Sequence, residues 1–211
     1  MTGLPALRNL ALASLGVLAT LSFTGCGSQT FSLGQDSRNK MIVSVRDQKM
    51  LLVRDGSPIK SYKISTSKFG LGDRPGSNCT PIGRLQVAKK IGDNAPLGSV
   101  FKTRRPTGEV LKPNAPGRDP VVTRIMWLTG TESRNQNAFR RTIYIHGTPE
   151  ERRLGSPASF GCIRMGSTDV ADLYNRVGAG ADVFIIRGSI QSNKGNQESA
   201  STDSHNFGPR G

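Results

Sequence analysis

A mainly β fold, built as one domain, is what this sequence predicts. Short runs of alternating apolar and polar residues, the period of a half-buried strand, recur at 41–46, 50–54, 59–65, 84–89 and 121–128. The chain carries 25 glycines and 12 prolines, a punctuation that favours many turns over long helices. Once polar or exported ends are set aside, about 150 residues remain, enough for one hydrophobic core.

Residues 1–25 carry a single charge, Arg8, ahead of an apolar run over 10–23. That run is short for a membrane span and suits the central region of a signal peptide. It ends in Phe23-Thr24-Gly25-Cys26, which resembles a bacterial lipobox with phenylalanine where leucine is more usual. The resemblance implies lipidation of Cys26 and a membrane anchor there; ordinary secretion with a cut near Gly25 is the competing reading. Gly27, rather than aspartate, would direct such a lipoprotein to the outer membrane. Residues 26–40, rich in Ser, Gln and Gly, read as a tether between anchor and domain.

The first two strands pair around Asp47-Gln48, and Asp55-Gly56 turns the chain into a third, so three antiparallel strands open the domain. A loop then runs to Thr80-Pro81-Ile82-Gly83, whose proline and glycine are turn chemistry leading into the next strand. Residues 90–120, with scattered prolines, glycines and basic side chains, read as loop and short strands forming a flap over a site. In 121–128 strict alternation puts Val121, Thr123, Ile125 and Trp127 on one face, and Val122, Arg124, Met126 and Leu128 on the other. Trp127 is expected in the core or a cleft wall. Arg140-Arg141 is expected to rim the site for an anionic substrate. Late in the chain Val170, Leu173, Tyr174 and Val177 make one helical face, capped by Ser167 or Thr168 with Asp169 in the first turn; a last strand follows at 182–187. Residues 188–211 carry almost no large apolar side chains and are expected to be disordered.

The chemistry concentrates in Thr142–Met165, TIYIHGTPEERRLGSPASFGCIRM. Ile143 to His146 alternates like a strand that delivers an imidazole to its end, where Gly147 turns the chain; sixteen residues on, Gly161 and Cys162 follow a polar loop. A thiol nucleophile needs a base or positive field to lower its pKa from about 8.5. His146 would supply the base and Arg164 part of the field. Gly161 would leave room for substrate, with the Cys162 N–H as an oxyanion donor. The blander reading, a buried cysteine and a surface histidine, sits poorly with the surrounding glycines and polar residues. Cys79 is read as a free bystander, or else as a redox partner of Cys162. His205 falls in the tail and is set aside; with no Cys-x-x-Cys or His-x-x-x-His spacing, no metal site is expected. The net charge of +14 would suit nucleic acid, but no aromatic-interleaved basic motif or recognition helix is present, and an anionic cell envelope fits the export signal better.

His146-Gly147-Thr148, followed by Ser159-Phe160-Gly161-Cys162-Ile163-Arg164-Met165, resembles the L,D-transpeptidases of the YkuD type, which cross-link peptidoglycan. Thr80-Pro81-Ile82-Gly83 is a second feature of that family, and Phe160 stands where many members have histidine. The resemblance covers residues 41–187 and implies a β-sandwich catalytic domain with one short helix after the cysteine. It implies Cys162 as nucleophile and His146 as base, its tautomer held by a backbone carbonyl. Gly161, Arg164, Ser159, Gly147 and Tyr144 would line the oxyanion and substrate site. Arg164 would bind a substrate carboxylate or, alternatively, pair with a nearby Asp or Glu. No cofactor is implied. The implied partners are peptidoglycan stem peptides and, through Cys26, a membrane; the protein is expected to be a periplasmic monomer, anchored to the outer membrane. The sequence leaves open the acceptor, which could be a stem amine, a D-amino acid, a protein lysine or water. A non-catalytic wall-binding lipoprotein is the other class. Sortase-like enzymes, which also use His, Cys and Arg, would need a wider His-to-Cys gap.

Overall fold

A computed structural model describes residues 35–190; the signal segment, Cys26 and the tail from 191 onward lie outside the described residues. Ten strands and one helix follow one another as β1 (Asn39–Ser44), β2 (Lys49–Arg54), β3 (Ser57–Ser65), β4 (Gly83–Ile91), β5 (Ser99–Lys102), β6 (Arg105–Val110), β7 (Val121–Gly130), β8 (Tyr144–Gly147), β9 (Ile163–Met165), α1 (Ser167–Arg176) and β10 (Asp182–Ile186). The fold is mainly β, as expected, and the single α-helix among the described residues follows the cysteine. The strands form one sheet in the order β4-β10-β1-β2-β3-β9-β8-β7-β5-β6, and an additional β4–β7 pairing closes it. The two layers of a sandwich are thus one sheet wrapped around a core, which leaves fewer exposed strand edges.

Local sequence explains the opening of the chain. β1 and β2 pair antiparallel from Asn39↔Arg54 to Ser44↔Lys49, and Gln48 takes a positive φ in the turn between them. Asp55 and Gly56, φ 50° and 82°, form the tight turn into β3, a conformation that Asp and Gly tolerate. Order begins before the expected boundary at Met41. The Asp36 carboxylate accepts N–H bonds from Gly178 (2.7 Å) and Asn39 (3.1 Å), tying the chain's approach to the far end of α1.

The core lies inside the wrapped sheet. Met41, Met50, Leu52, Tyr62, Ile64, Leu85, Met126, Leu128, Ile145, Ile163 and Met165 meet Val170, Leu173 and Tyr174 of the helix there. The apolar helical stripe read from the sequence is therefore the face that fills this core. The helix cap differs from expectation. Gly166 is the N-cap residue, and the Glu151 carboxylate, from a distant loop, accepts the Ser167 N–H at 2.8 Å.

In β7 the predicted alternation breaks. Pairing with β8 slips between Val122 and Ile125, where Thr123 adopts φ 68°, an uncommon conformation for a β-branched residue. The Thr123 hydroxyl accepts the Gly98 N–H and donates to the Ser167 hydroxyl, both at 2.9 Å, so the bulge is held from two sides. Beyond it, Ile125 and Trp127 face outward with Tyr144, while Met126 and Leu128 face the core. Strands β5 and β6 form a hairpin on the outer edge of β7, the flap anticipated in 90–120.

Candidate active site

The site sits on the outer face where β8 and β9 run parallel. The register pairs Ile145 with Ile163, His146 with Arg164 and Gly147 with Met165. Ile145, Ile163 and Met165 point into the core, so Tyr144, His146, Cys162 and Arg164 share the opposite face. Cys162 stands just before β9, level with Tyr144, whose N–H points at Sγ from 3.4 Å; the Cys162 thiol donates to the Thr142 carbonyl at 3.5 Å. His146 lies two residues further along β8. Strand periodicity alone thus gathers the two residues that the sequence singled out.

The imidazole is 4 % exposed, and its Nδ1 lies 2.8 Å from the carbonyl of Gly147. A carbonyl can only accept, so Nδ1 carries the proton and Nε2 is left as the basic nitrogen. This is the backbone-fixed tautomer that the resemblance implied. Burial brings the His146 pKa down to about 4; the Gly147 carbonyl opposes this, and the Arg164 charge reinforces it. Burial pushes the Cys162 thiol up to about 11 against the Tyr144 N–H and the charges of Arg164 and Arg141. The expected lowering of the thiol pKa does not occur. At neutral pH both partners are uncharged.

Arg164 does not reach for substrate. Its side chain is 8 % exposed and lies 2.6 Å from Asp119 and 3.5 Å from Glu150, so the reading as a structural pair holds. Asp119 also accepts the Thr148 hydroxyl, and that hydroxyl accepts the Glu150 N–H at 3.0 Å. One largely covered carboxylate therefore joins the strand end after His146 to Arg164 of β9, two residues past Cys162. Arg141, expected at the rim, is buried as well: it pairs with Asp73 at 3.0 Å and donates to the carbonyls of Gly72 and Cys79.

The remaining candidates brace the Cys162 loop. The Ser159 hydroxyl donates to the Cys162 carbonyl at 2.6 Å and accepts the Gly161 N–H at 3.2 Å. Thr80 donates to the Gly161 carbonyl at 2.9 Å and accepts the Ser67 N–H at 3.0 Å. Gly161 has φ 120°, and a Cβ there would lie 3.2 Å from the Cys79 carbonyl and 3.3 Å from Ile143. The positive φ is the first reason for a glycine here, and the close packing adds to it. Gly147 is required by the β7 bulge: a Cβ would come within 2.7 Å of the Val122 carbonyl oxygen. Cys79 is a free thiol, and its Sγ points at the carbonyls of Phe69 and Ser77.

The cleft wall is aromatic. Trp127 stacks on Phe139 (centroids 4.1 Å apart, planes 6° apart) and meets Tyr144 edge-on. Sequence reasoning missed Asp119, Thr80 and Arg104 as parts of the site. Thr80 alone carried a signal, in the Thr-Pro-x-Gly motif read as turn chemistry. No group of three metal-ligating side chains occurs among the described residues, and no described helix is long and apolar enough to cross a membrane.

Comparison with known families matches residues 38–185 to YkuD, the L,D-transpeptidase catalytic domain. The chain belongs to this family. No curated protein matches it. Solved structures similar to it include an L,D-transpeptidase from Mycobacterium smegmatis (15 % identity, TM-score 0.45, 71 % of this chain and 58 % of that one). Others are a mutant Enterococcus faecium L,D-transpeptidase (18 %, 0.47, 72 % and 50 %) and residues 123–326 of one from Xylanimonas cellulosilytica (18 %, 0.46, 72 % and 61 %). The chain thus spans between 50 % and 61 % of these three chains.

Proposed function

We propose that this chain is a peptidoglycan L,D-transpeptidase with Cys162 as nucleophile and His146 as general base and acid. The observation that carries the reading is the shared outer face of β8 and β9, on which a tautomer-locked His146 accompanies the Cys162 thiol. Because both are neutral at rest, the proton leaves sulfur as sulfur attacks, which is general-base catalysis rather than attack by a standing thiolate. The Sγ–H proton passes to Nε2 while Sγ bonds to the carbonyl carbon of the diamino acid at the third position of a tetrapeptide stem. The Cys162 N–H faces the developing oxyanion. Collapse breaks the amide bond, the imidazolium gives its proton to the departing D-alanine amine, and a thioester remains. The side-chain amine of a second stem then attacks, His146 takes its proton, and the thiol is restored as a 3→3 cross-link forms.

The same reading places the enzyme in the cell envelope of a double-membraned bacterium, held to the outer membrane by lipid on Cys26 and acting as a monomer. Residues 1–25 would be its signal peptide, and the tether read over 26–40 gives way to β1 at Asn39. The test is intact-mass and fragment analysis of Cys26→Ser protein with purified disaccharide-tetrapeptide, beside Cys162→Ala. A cross-linked dimer formed with loss of D-alanine, absent in the Cys162→Ala protein, is the expected result. Loss of D-alanine without a dimer would move the reading to hydrolysis or another acceptor. No loss and no adduct would sink it.

A further inference from the structure

Of the three arginines that the sequence offered for recognising substrate charge, two are consumed inside the protein, Arg164 by Asp119 and Glu150 and Arg141 by Asp73, while Arg140 is exposed and donates to the Asn137 side chain at 2.6 Å. A different cation stands over the site. Arg104 lies in the turn of the β5–β6 hairpin, where Lys102 pairs with Arg105 and only Thr103 and Arg104 connect the strands. Both turn residues have positive φ, 48° and 65°, as a two-residue turn of this kind demands. Asn-Gly would adopt it with ease; Thr-Arg does so against steric preference. The turn folds the arginine back onto the cleft. Every residue of β6 is exposed, yet the Arg104 side chain lies over Trp127, its guanidinium carbon 4.7 Å from the ring centroid. Its Nη1 donates to the Tyr144 hydroxyl at 3.3 Å. Among the described residues no carboxylate lies within ion-pair distance of it. Tyr144 is the residue whose N–H points at the Cys162 sulfur.

We infer that Arg104 is the donor-binding cation of this site, its guanidinium taking a carboxylate of the stem peptide while Trp127 holds it flat and Tyr144 sets its height above Cys162. A planar guanidinium stacked on one face keeps its edge donors aligned for a two-point bond to a carboxylate, which a lysine in its place would not offer. Two carboxylates of a donor stem share this chemistry: that of the terminal D-alanine and that on the side chain of the diamino acid. The inference rests on the transpeptidase reading, and the experiment separates the two.

Release of D-alanine from a tetrapeptide stem is followed with Cys26→Ser protein, with and without Arg104→Met or Arg104→Lys, and Cys162 alkylation by iodoacetamide is timed in each. Arg104→Met is expected to raise KM about 10- to 100-fold with kcat within about 3-fold of the parent, and Arg104→Lys to recover only part of the loss. Equal alkylation rates in the three proteins would show that the nucleophile and its surroundings are intact. Amidating the recognised carboxylate should penalise the parent by a similar factor and leave Arg104→Met indifferent. The terminal amide and the side-chain amide, tried separately, tell which carboxylate it is. Parent-like KM in Arg104→Met, or an undiminished amidation penalty in that variant, would overturn the assignment. A parent protein that alkylates but releases no D-alanine would remove the transpeptidase reading and this inference with it.

Discussion

At the scale of single residues, His146 and Cys162 determine how the site responds to pH. With the imidazole brought down to about 4 and the thiol pushed up to about 11, both by burial, the resting proton sits on sulfur. In a Cys26→Ser, Cys79→Ser background, Cys162 alkylation by iodoacetamide should therefore climb nearly tenfold per pH unit from 7 to about 10. A plateau between pH 5 and 8 would reveal a standing thiolate–imidazolium pair and contradict this account. Stability carries a second signature. The folded-state pKa of His146 is depressed from 6.5 to about 4, so between those values the unfolded chain binds a proton that the native protein refuses. The native state loses stability as pH falls through that window and suffers no penalty from this group above it. Urea unfolding at pH 7 and 4.5 should show the parent losing about 2.5 kcal/mol more than His146→Gln. Equal losses would mean the imidazole is not held neutral by burial.

Among the elements, the bulge in β7 matters most to the catalytic geometry. Thr123, at φ 68°, presses the Val122 carbonyl toward β8, and Gly147 leaves the space for it. Gly147→Ala would put a Cβ 2.7 Å from that oxygen, and since backbone on both sides is hydrogen-bonded the strand carrying His146 must move. We expect a loss of about 2 kcal/mol in urea unfolding and a larger proportional loss of D-alanine release. A variant with parental activity would show that β8 can shift without consequence for the imidazole. The nucleophile's loop depends on a different contact. Thr80→Val keeps the shape of the side chain but leaves the Gly161 carbonyl and the Ser67 N–H without their partner. It should cost about 1–3 kcal/mol and slow Cys162 alkylation. Unchanged stability and alkylation would reduce the Thr-Pro-x-Gly motif to turn chemistry alone.

For the whole molecule, the closed sheet makes the first described residues structural. Asn39 and Lys40 pair with β2, Lys40 also pairs with Asp182 of β10, and Asp36 holds Gly178 beyond the helix. A chain beginning at Gln35 should unfold like the longer protein. One beginning at Met41, where alternation starts in the sequence, should be less stable by roughly 2–4 kcal/mol. Equal midpoints for the two would mean that order effectively begins at Met41. The reason the boundary is hard to read is that Asp36 and Asn39 are polar residues in a Ser- and Gln-rich stretch. Their bonds are to Gly178 and Arg176, more than a hundred positions away.

The sequence by itself determined the β character, the opening hairpins, the core-facing stripe of the helix and the candidacy of Cys162 and His146. Each of these depends on periodicity, turn chemistry or a compact motif, which are properties of neighbouring residues. Tertiary structure alone decided which charges were spoken for. Arg164 and Arg141 look like substrate ligands until Asp119, Glu150 and Asp73 arrive from distant loops, and the thiol looks activated until burial outweighs its charged neighbours. Ion pairing and desolvation depend on what the closed sheet brings within a few ångströms, and a linear chain carries no record of that distance.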